Sequence, residues 1–132
     1  MLMELAGNTI FNKRHVEIAI VAISAVNRCD CCIANHAPRL FELGLSAAKI
    51  NLILDIDCPE IDDIDRLVRD LAVQVTKNHN RVTDDLFNRL KEHFDETQIV
   101  ELTLRITLCT FFNKFNDVMQ LEMEDGVLAL SN

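Results

Sequence analysis

Apolar residues recur at helical spacing along nearly the whole chain. Residues 15–26 read HVEIAIVAISAV, apolar on every side except at Glu17 and Ser24. Such a run predicts a helix buried all round; its alanines and its length favour helix over buried strand. A second helix is expected from about Asn27–Cys29 to Leu43, with Gly44 as its C-terminal cap. Pro38 lies inside it and would kink or break it near Ala37. Ser46 suits the N-cap of a third helix through Ile50, Ile53 and Leu54, and Pro59 marks a loop. From Asp62 to Asn78, Ile64, Leu67, Val68, Leu71, Ala72 and Val75 form one apolar stripe, with acids at the start and Lys77 near the end. Thr83 caps a short helix carrying Leu86, Phe87, Leu90 and Phe94.

Asp95 and Gln98 form a capping-box pattern for a long helix from about Glu96 to Val118. It carries two apolar stripes. Ile99, Leu102, Ile106 and Cys109 make one; Leu104, Leu108, Phe111 and Phe115 make the other. Two stripes exceed what a small monomer covers, so the second is expected to meet another subunit. A monomer peak in light scattering at micromolar concentration would contradict that expectation. The segment after Met119 is acidic and then apolar, and its pattern assigns no element.

This is an all-α pattern of about six helices, and 132 residues suit one domain over 1–132. Composition narrows the function. A net charge of −8 argues against nucleic acid or an anionic membrane as partner, because binding phosphate needs clustered Lys and Arg. With no Trp and no Tyr, an aromatic stacking platform is not expected. No secretory pattern is visible at the N-terminus, and the most apolar run, Val16 to Val26, is too short to span a bilayer. A cytoplasmic protein is therefore expected. Its five cysteines are then not a structural disulfide framework and need another explanation.

Three of them fall in Arg28-Cys29-Asp30-Cys31-Cys32-Ile33-Ala34-Asn35-His36. On a helix at about 100° per residue, with Cys29 at 0°, Cys32 falls at about −60°, His36 at about −20° and Cys31 at about 200°. Spacing thus separates a working pair, Cys29 and Cys32, from a bystander, Cys31. Helical residues three apart have Cα atoms about 5–5.5 Å apart, within disulfide range. A bridge across so short a loop gains little stability, so it reads as a redox device. Near a helix N-terminus a Cys-x-x-Cys thiol is expected to fall from about 8.5 toward 7 or lower. This reasoning makes Cys29 the exposed sulfur that meets an external disulfide. His36, one turn on, is placed to exchange a proton with Cys32. Glu17, a carboxylate in an apolar run, needs a partner, and His36 is the natural one.

The pattern E-x11-C-x2-C-x3-H, formed by Glu17, Cys29, Cys32 and His36 and followed by LFELGLS, resembles the carboxymuconolactone decarboxylase-like superfamily, and within it the alkylhydroperoxidase D (AhpD)-like branch. FFNKF around Asn113 looks like that family's last-helix Asn-Arg-Phe segment. The likeness spans roughly Asn12 to Val118. It implies an AhpD-like all-α fold, with the Cys-x-x-Cys at a helix N-terminus, assembled into trimers or hexamers. It also implies a peroxidase or thiol–disulfide oxidoreductase acting in antioxidant defence, without metal, haem or other cofactor. By position, Cys32 matches the thiol that attacks peroxide, Cys29 its partner, and His36 with Glu17 the proton relay. The implied partners are a hydroperoxide and a dithiol reductant, lipoyl- or thioredoxin-like. One position departs: AhpD has a His before the second motif cysteine, and here it is Cys31.

Two rival readings stand beside this one. A carboxymuconolactone decarboxylase-type lyase would use Glu17 and His36 and leave the thiols idle. A non-enzymatic zinc-binding assembly would take Cys29, Cys32 and His36 as ligands, with Glu17 available as a fourth. Elsewhere, Cys58 and Cys109 read as loop and core residues, and His15, His79 and His93 as surface residues. Asp55, Asp57, Asp62, Asp63 and Asp65 read as capping and solvated acids, since they lack the glycine and closing Glu of a calcium loop. Asn113 reads as a hydrogen-bonded core amide.

Overall fold

The computed structural model describes residues 12–46, 50–58 and 60–120. Among the described residues, five α-helices follow in order: α1 (Lys13–Val26), α2 (Asp30–Glu42), α3 (Asp63–Asn78), α4 (Asp84–Lys91) and α5 (Glu96–Val118). A single 3-10 turn, His79–Arg81, joins α3 to α4, and no strand occurs among the described residues. The expected tail after Gln120 and the loop at Pro59 lie outside the described residues. So does the middle of the expected helix at Ser46; Ile50 and Asn51 are helical, followed by turns rather than helix through Leu54.

The capping patterns act as their chemistry dictates. Asp62 accepts from the Asp65 N–H at 2.7 Å, while the Asp65 carboxylate accepts from the Asp62 N–H at 3.1 Å. Asp95 and Gln98 do the same at the start of α5. At the end of α2, Gly44 adopts φ +98°, which favours glycine. Its N–H bonds Phe41 O and the Leu45 N–H bonds Leu40 O, a Schellman closure, with Leu40 and Leu45 both buried. α2 runs through Pro38 without the break that proline suggested.

α1 sits at the centre, which is why it is apolar on all sides. Val16, Ala19 and Ile23 pack with Leu67, Val68 and Leu71 of α3, Leu90 of α4, and Ile99, Leu102 and Ile106 of α5. Its other face carries Ile18, Val21 and Ala22 against Ala37 and Leu40 of α2 and the buried loop residues Leu45, Ile53 and Cys58. Cys58 thus lies in a loop, as expected, with its side chain in the core. Of the second stripe of α5, Leu104 and Leu108 are half-buried in the single chain, while Phe111 is 58% and Phe115 50% exposed, their rings stacked 6.2 Å apart.

One surface reading is corrected. His15 is not a surface histidine: its Nε2 lies 3.1 Å from Asp65 Oδ1, and its ring meets Phe94 edge-on at 5.8 Å. Asp65 is fully buried and also takes the Arg14 guanidinium at 2.9 Å. Burial alone would raise this carboxyl, but His15, Arg14 and the Asp62 N–H outweigh it and lower it from 3.8 to about 2. A lowered carboxyl contributes stability above its unfolded value, and that contribution is lost as pH falls from about 4 toward 2. Asp65→Asn is expected to cost about 3 kcal/mol at pH 7, because it leaves the Arg14 guanidinium without its counter-charge. Urea unfolding should show the penalty at pH 7 and a smaller gap between the two proteins at pH 3; an equal gap at both pH values would count against the ion-pair account.

Candidate active site

The turn between α1 and α2 decides where the sulfurs go. Arg28 adopts φ 56°, a left-handed conformation that stops α1 and turns the chain back. The helix therefore begins at Asp30 with Cys29 as its N-cap, not at Asn27–Cys29. The Cys29 N–H bonds Ser24 O at 2.9 Å, and its carbonyl accepts from Ile33 at 3.0 Å. This folds Cys29 inward until it is 0% exposed, while Cys32, in the first turn of α2, keeps 8%. The expectation that Cys29 is the exposed sulfur is thereby reversed. The acidity expected of the motif does not fall on Cys29: burial, the neighbouring Cys32 sulfur and the Asp117 carboxylate push its thiol up from 9.0 to about 12. Cys31 is only half-buried.

Glu17 and His36 meet as the sequence suggested, with His36 Nδ1 2.8 Å from Glu17 Oε2. Glu17 lies on the central helix, one turn from its start, and His36 on α2 beside it. The residue sequence reasoning missed is Arg39, whose Nη1 donates to Glu17 Oε1 at 3.2 Å. Its signal was spacing: Arg39 is three residues after His36, on the same helix face. Burial would raise Glu17, yet the hydrogen bonds and charges of His36 and Arg39 together hold it below its ordinary 4.5. Glu17 is a carboxylate at neutral pH, and its bond fixes the His36 ring.

Helix α5 closes the site from the far end of the chain. Asn116 Nδ2 donates to Cys32 Sγ at 3.7 Å, the geometry of a hydrogen bond to sulfur. Asn113, 1% exposed, accepts from Asn27 Nδ2 at 3.1 Å and donates to Ser24 Oγ at 3.3 Å. It is the hydrogen-bonded core amide expected, and it ties α5 to the turn that carries Cys29. Cys109 is partly buried beside Ser24, their Oγ and Sγ 3.9 Å apart. Burial, offset in part by that hydroxyl, pushes its thiol up to about 11.

Cys32, His36, Arg39, Arg105, Phe112 and Asn116 are among the residues lining a cavity of about 360 Å³. A second cavity of about 660 Å³ lies across His36, Arg39 and Arg105 and reaches Glu17. The ligand atoms of Cys29, Cys32, His36 and Glu17 do not gather as a chelate would. Among the described residues only His15, Asp62 and Asp65 bring such atoms within 4.8 Å of one another. That trio is the capping box and ion-pair cluster already described, with Arg14 on Asp65. The zinc reading therefore loses its geometric basis.

The site thus sets a buried carboxylate that holds an imidazole beside a Cys-x-x-Cys, with Cys32 on the wall of a cavity, in an all-helical fold. The model of the carboxymuconolactone decarboxylase family matches residues 1–62. The chain is 27% identical over 114 residues to the uncharacterized protein YdfG of Bacillus subtilis, covering 82% of this chain and 75% of that one. Its fold matches an uncharacterized peroxidase-related protein from Silicibacter at TM-score 0.87 and 15% identity, over 99% of this chain and 70% of the other. An Agrobacterium tumefaciens protein of unknown function, a candidate antioxidant-defence AhpD, matches at 0.82 and 22%, over 93% and 85%. The AhpD-core, peroxidase-related protein from Ralstonia eutropha matches at 0.82 and 20%, over 98% and 69%. The match to the carboxymuconolactone decarboxylase family model thus falls on the part of the chain that holds Glu17, Cys29, Cys32 and His36, and the fold is that of AhpD-like proteins.

Among the described residues, no helix is long and apolar enough to cross a membrane.

Proposed function

We propose that the protein is a cysteine-based peroxidase, reducing a hydroperoxide through Cys32 and Cys29 and drawing electrons from a dithiol. The observation that carries this reading is the pairing of Glu17 with His36 at 2.8 Å on the wall of the cavity onto which Cys32 opens.

The roles follow from position. With Nδ1–H held by Glu17, the other ring nitrogen of His36 is the proton acceptor, on a ring that lines the same cavity as Cys32. His36 takes the Cys32 proton. Asn116 and the positive end of the α2 dipole stabilise the thiolate that remains. The thiolate attacks the terminal oxygen of the hydroperoxide, the O–O bond breaks, and the alkoxide leaves with the proton from His36 as an alcohol. Cys32 is now a sulfenic acid. Cys29 attacks it, an S–S bond forms, the S–O bond breaks, and the Cys29 proton departs with the hydroxyl as water. A dithiol partner, lipoyl- or thioredoxin-like, then exchanges with the bridge and becomes a disulfide itself. It enters at Cys32, because Cys29 is sealed behind the turn. In the same reading a second copy of the chain covers Phe111 and Phe115, giving the oligomer whose mass light scattering reads.

Adding one equivalent of hydroperoxide to the reduced protein should give a species two hydrogens lighter, with a peptide map joining Cys29 to Cys32. Recovery of all five thiols unchanged would sink the proposal and favour the lyase reading, in which the sulfurs are idle.

A further inference from the structure

Arg105 is not needed by the chemistry above, yet it stands on the wall between both cavities. Its Nε donates to Glu101 Oε1 at 3.0 Å, and the side chains are only 13% and 10% exposed. One turn of α5 thus holds a half-hidden guanidinium in a fixed direction. Its Nη2 is buried and has no hydrogen-bond partner among the described residues. A buried cationic donor without an acceptor is costly, and a planar carboxylate is the acceptor that fits a guanidinium fork best. Arg39 adds a second guanidinium to the same two walls. The remainder of the smaller cavity is apolar where Ile20, Leu108 and Phe112 line it, and Cys32 lies on it.

We infer that the cavity selects small substrates carrying a carboxylate at one end, with Arg105 receiving that carboxylate, Leu108 and Phe112 covering the apolar middle, and the reacting group lying at Cys32. A space of about 360 Å³ suits a small molecule, at the lower end of ligand-pocket sizes. The inference builds on the peroxidase reading and names its substrate class: an apolar hydroperoxide bearing a carboxylate. The chain's charge of −8 gives no general attraction for such an anion, so its recognition has to come from these two guanidinium groups.

Binding and turnover test it separately. Calorimetric titration of the reduced wild-type protein with hexanoate and with hexanamide compares ligands of one shape that differ in charge. Hexanoate should bind at least about tenfold more tightly, as a charge-assisted hydrogen bond implies. That preference should disappear in Arg105→Gln and survive in part in Arg105→Lys, which keeps the cation. In turnover, the ratio of kcat/KM for a carboxylate-bearing hydroperoxide over cumene hydroperoxide should fall by a similar factor in Arg105→Gln. Equal binding of hexanoate and hexanamide to the wild-type protein overturns the inference and needs no variant to fold. A hexanoate preference without consumption of either hydroperoxide leaves the carboxylate site standing and removes the peroxidase. Turnover of both hydroperoxides at an unchanged ratio in Arg105→Gln does the reverse.

Discussion

Cys32→Ser is expected to lower hydroperoxide consumption, with a dithiol as reductant, by at least about a thousandfold in kcat/KM, or about 4 kcal/mol of transition-state stabilisation. The substitution changes one atom at a side chain with a little exposure, so the fold should survive it. Cys29→Ser should behave differently. With its resolving sulfur gone, the protein should still consume about one equivalent of peroxide and then stall as the sulfenic acid, which a sulfenic-acid-trapping reagent would label on Cys32. The asymmetry arises from burial: Cys29 is sealed with its thiol pushed up to about 12, whereas Cys32 faces the cavity and Asn116. Should Cys32→Ser keep its rate while Cys29→Ser loses the first equivalent, the two sulfurs have the opposite order.

The second large effect belongs to a residue that meets no substrate in this mechanism. Glu17→Gln should reduce kcat/KM by about a hundredfold, about 2.7 kcal/mol, because an amide holds the His36 ring without the charge that supports its protonated form. Glu17→Asp keeps the charge and should recover part of the rate. Partial rescue separates a positioning role from mere support of the core, since aspartate fills the space less well than glutamine does. The pH dependence has a definite sign. His36 and Arg39 hold the Glu17 carboxyl below 4.5 against its burial. A depressed carboxyl gives its contribution above its unfolded value and loses it as pH falls through the folded one. The wild-type protein should therefore keep the Glu17 effect across the neutral and mildly acidic range. A Glu17→Gln protein as fast as the wild type at pH 7 would remove the carboxylate from the mechanism.

Much of this protein is legible in one dimension. The capping boxes at Asp62–Asp65 and Asp95–Gln98, the Thr83 cap and the Gly44 stop each depend on residues a few positions apart, so their spacing defines α3, α4 and α5 and the end of α2. α1 declares its central position by having no polar side. The link between Glu17 and His36 could be read because the turn between adjacent helices is short. Two local readings failed for one reason. Arg28 has no glycine to announce its left-handed turn, so Cys29 was placed on the helix and in the open, whereas the turn makes it the cap and buries it. His15 likewise finds Asp65 on a different helix, which no local pattern shows.

The chain order alone thus determined the course of α1, α3, α4 and α5, the stop of α2 and a two-sulfur motif with an imidazole and an acid beside it. Tertiary packing decided which sulfur faces the cavity and which groups surround it. Asn116 lies 84 residues from Cys32, and Asn113 lies 86 from Asn27 and 89 from Ser24. Spacing on one helix sets angles about that helix only; the partner contributed by another depends on how α5 packs across α1, and that is settled by the burial of Ile99, Leu102 and Ile106 against Val16, Ala19 and Ile23.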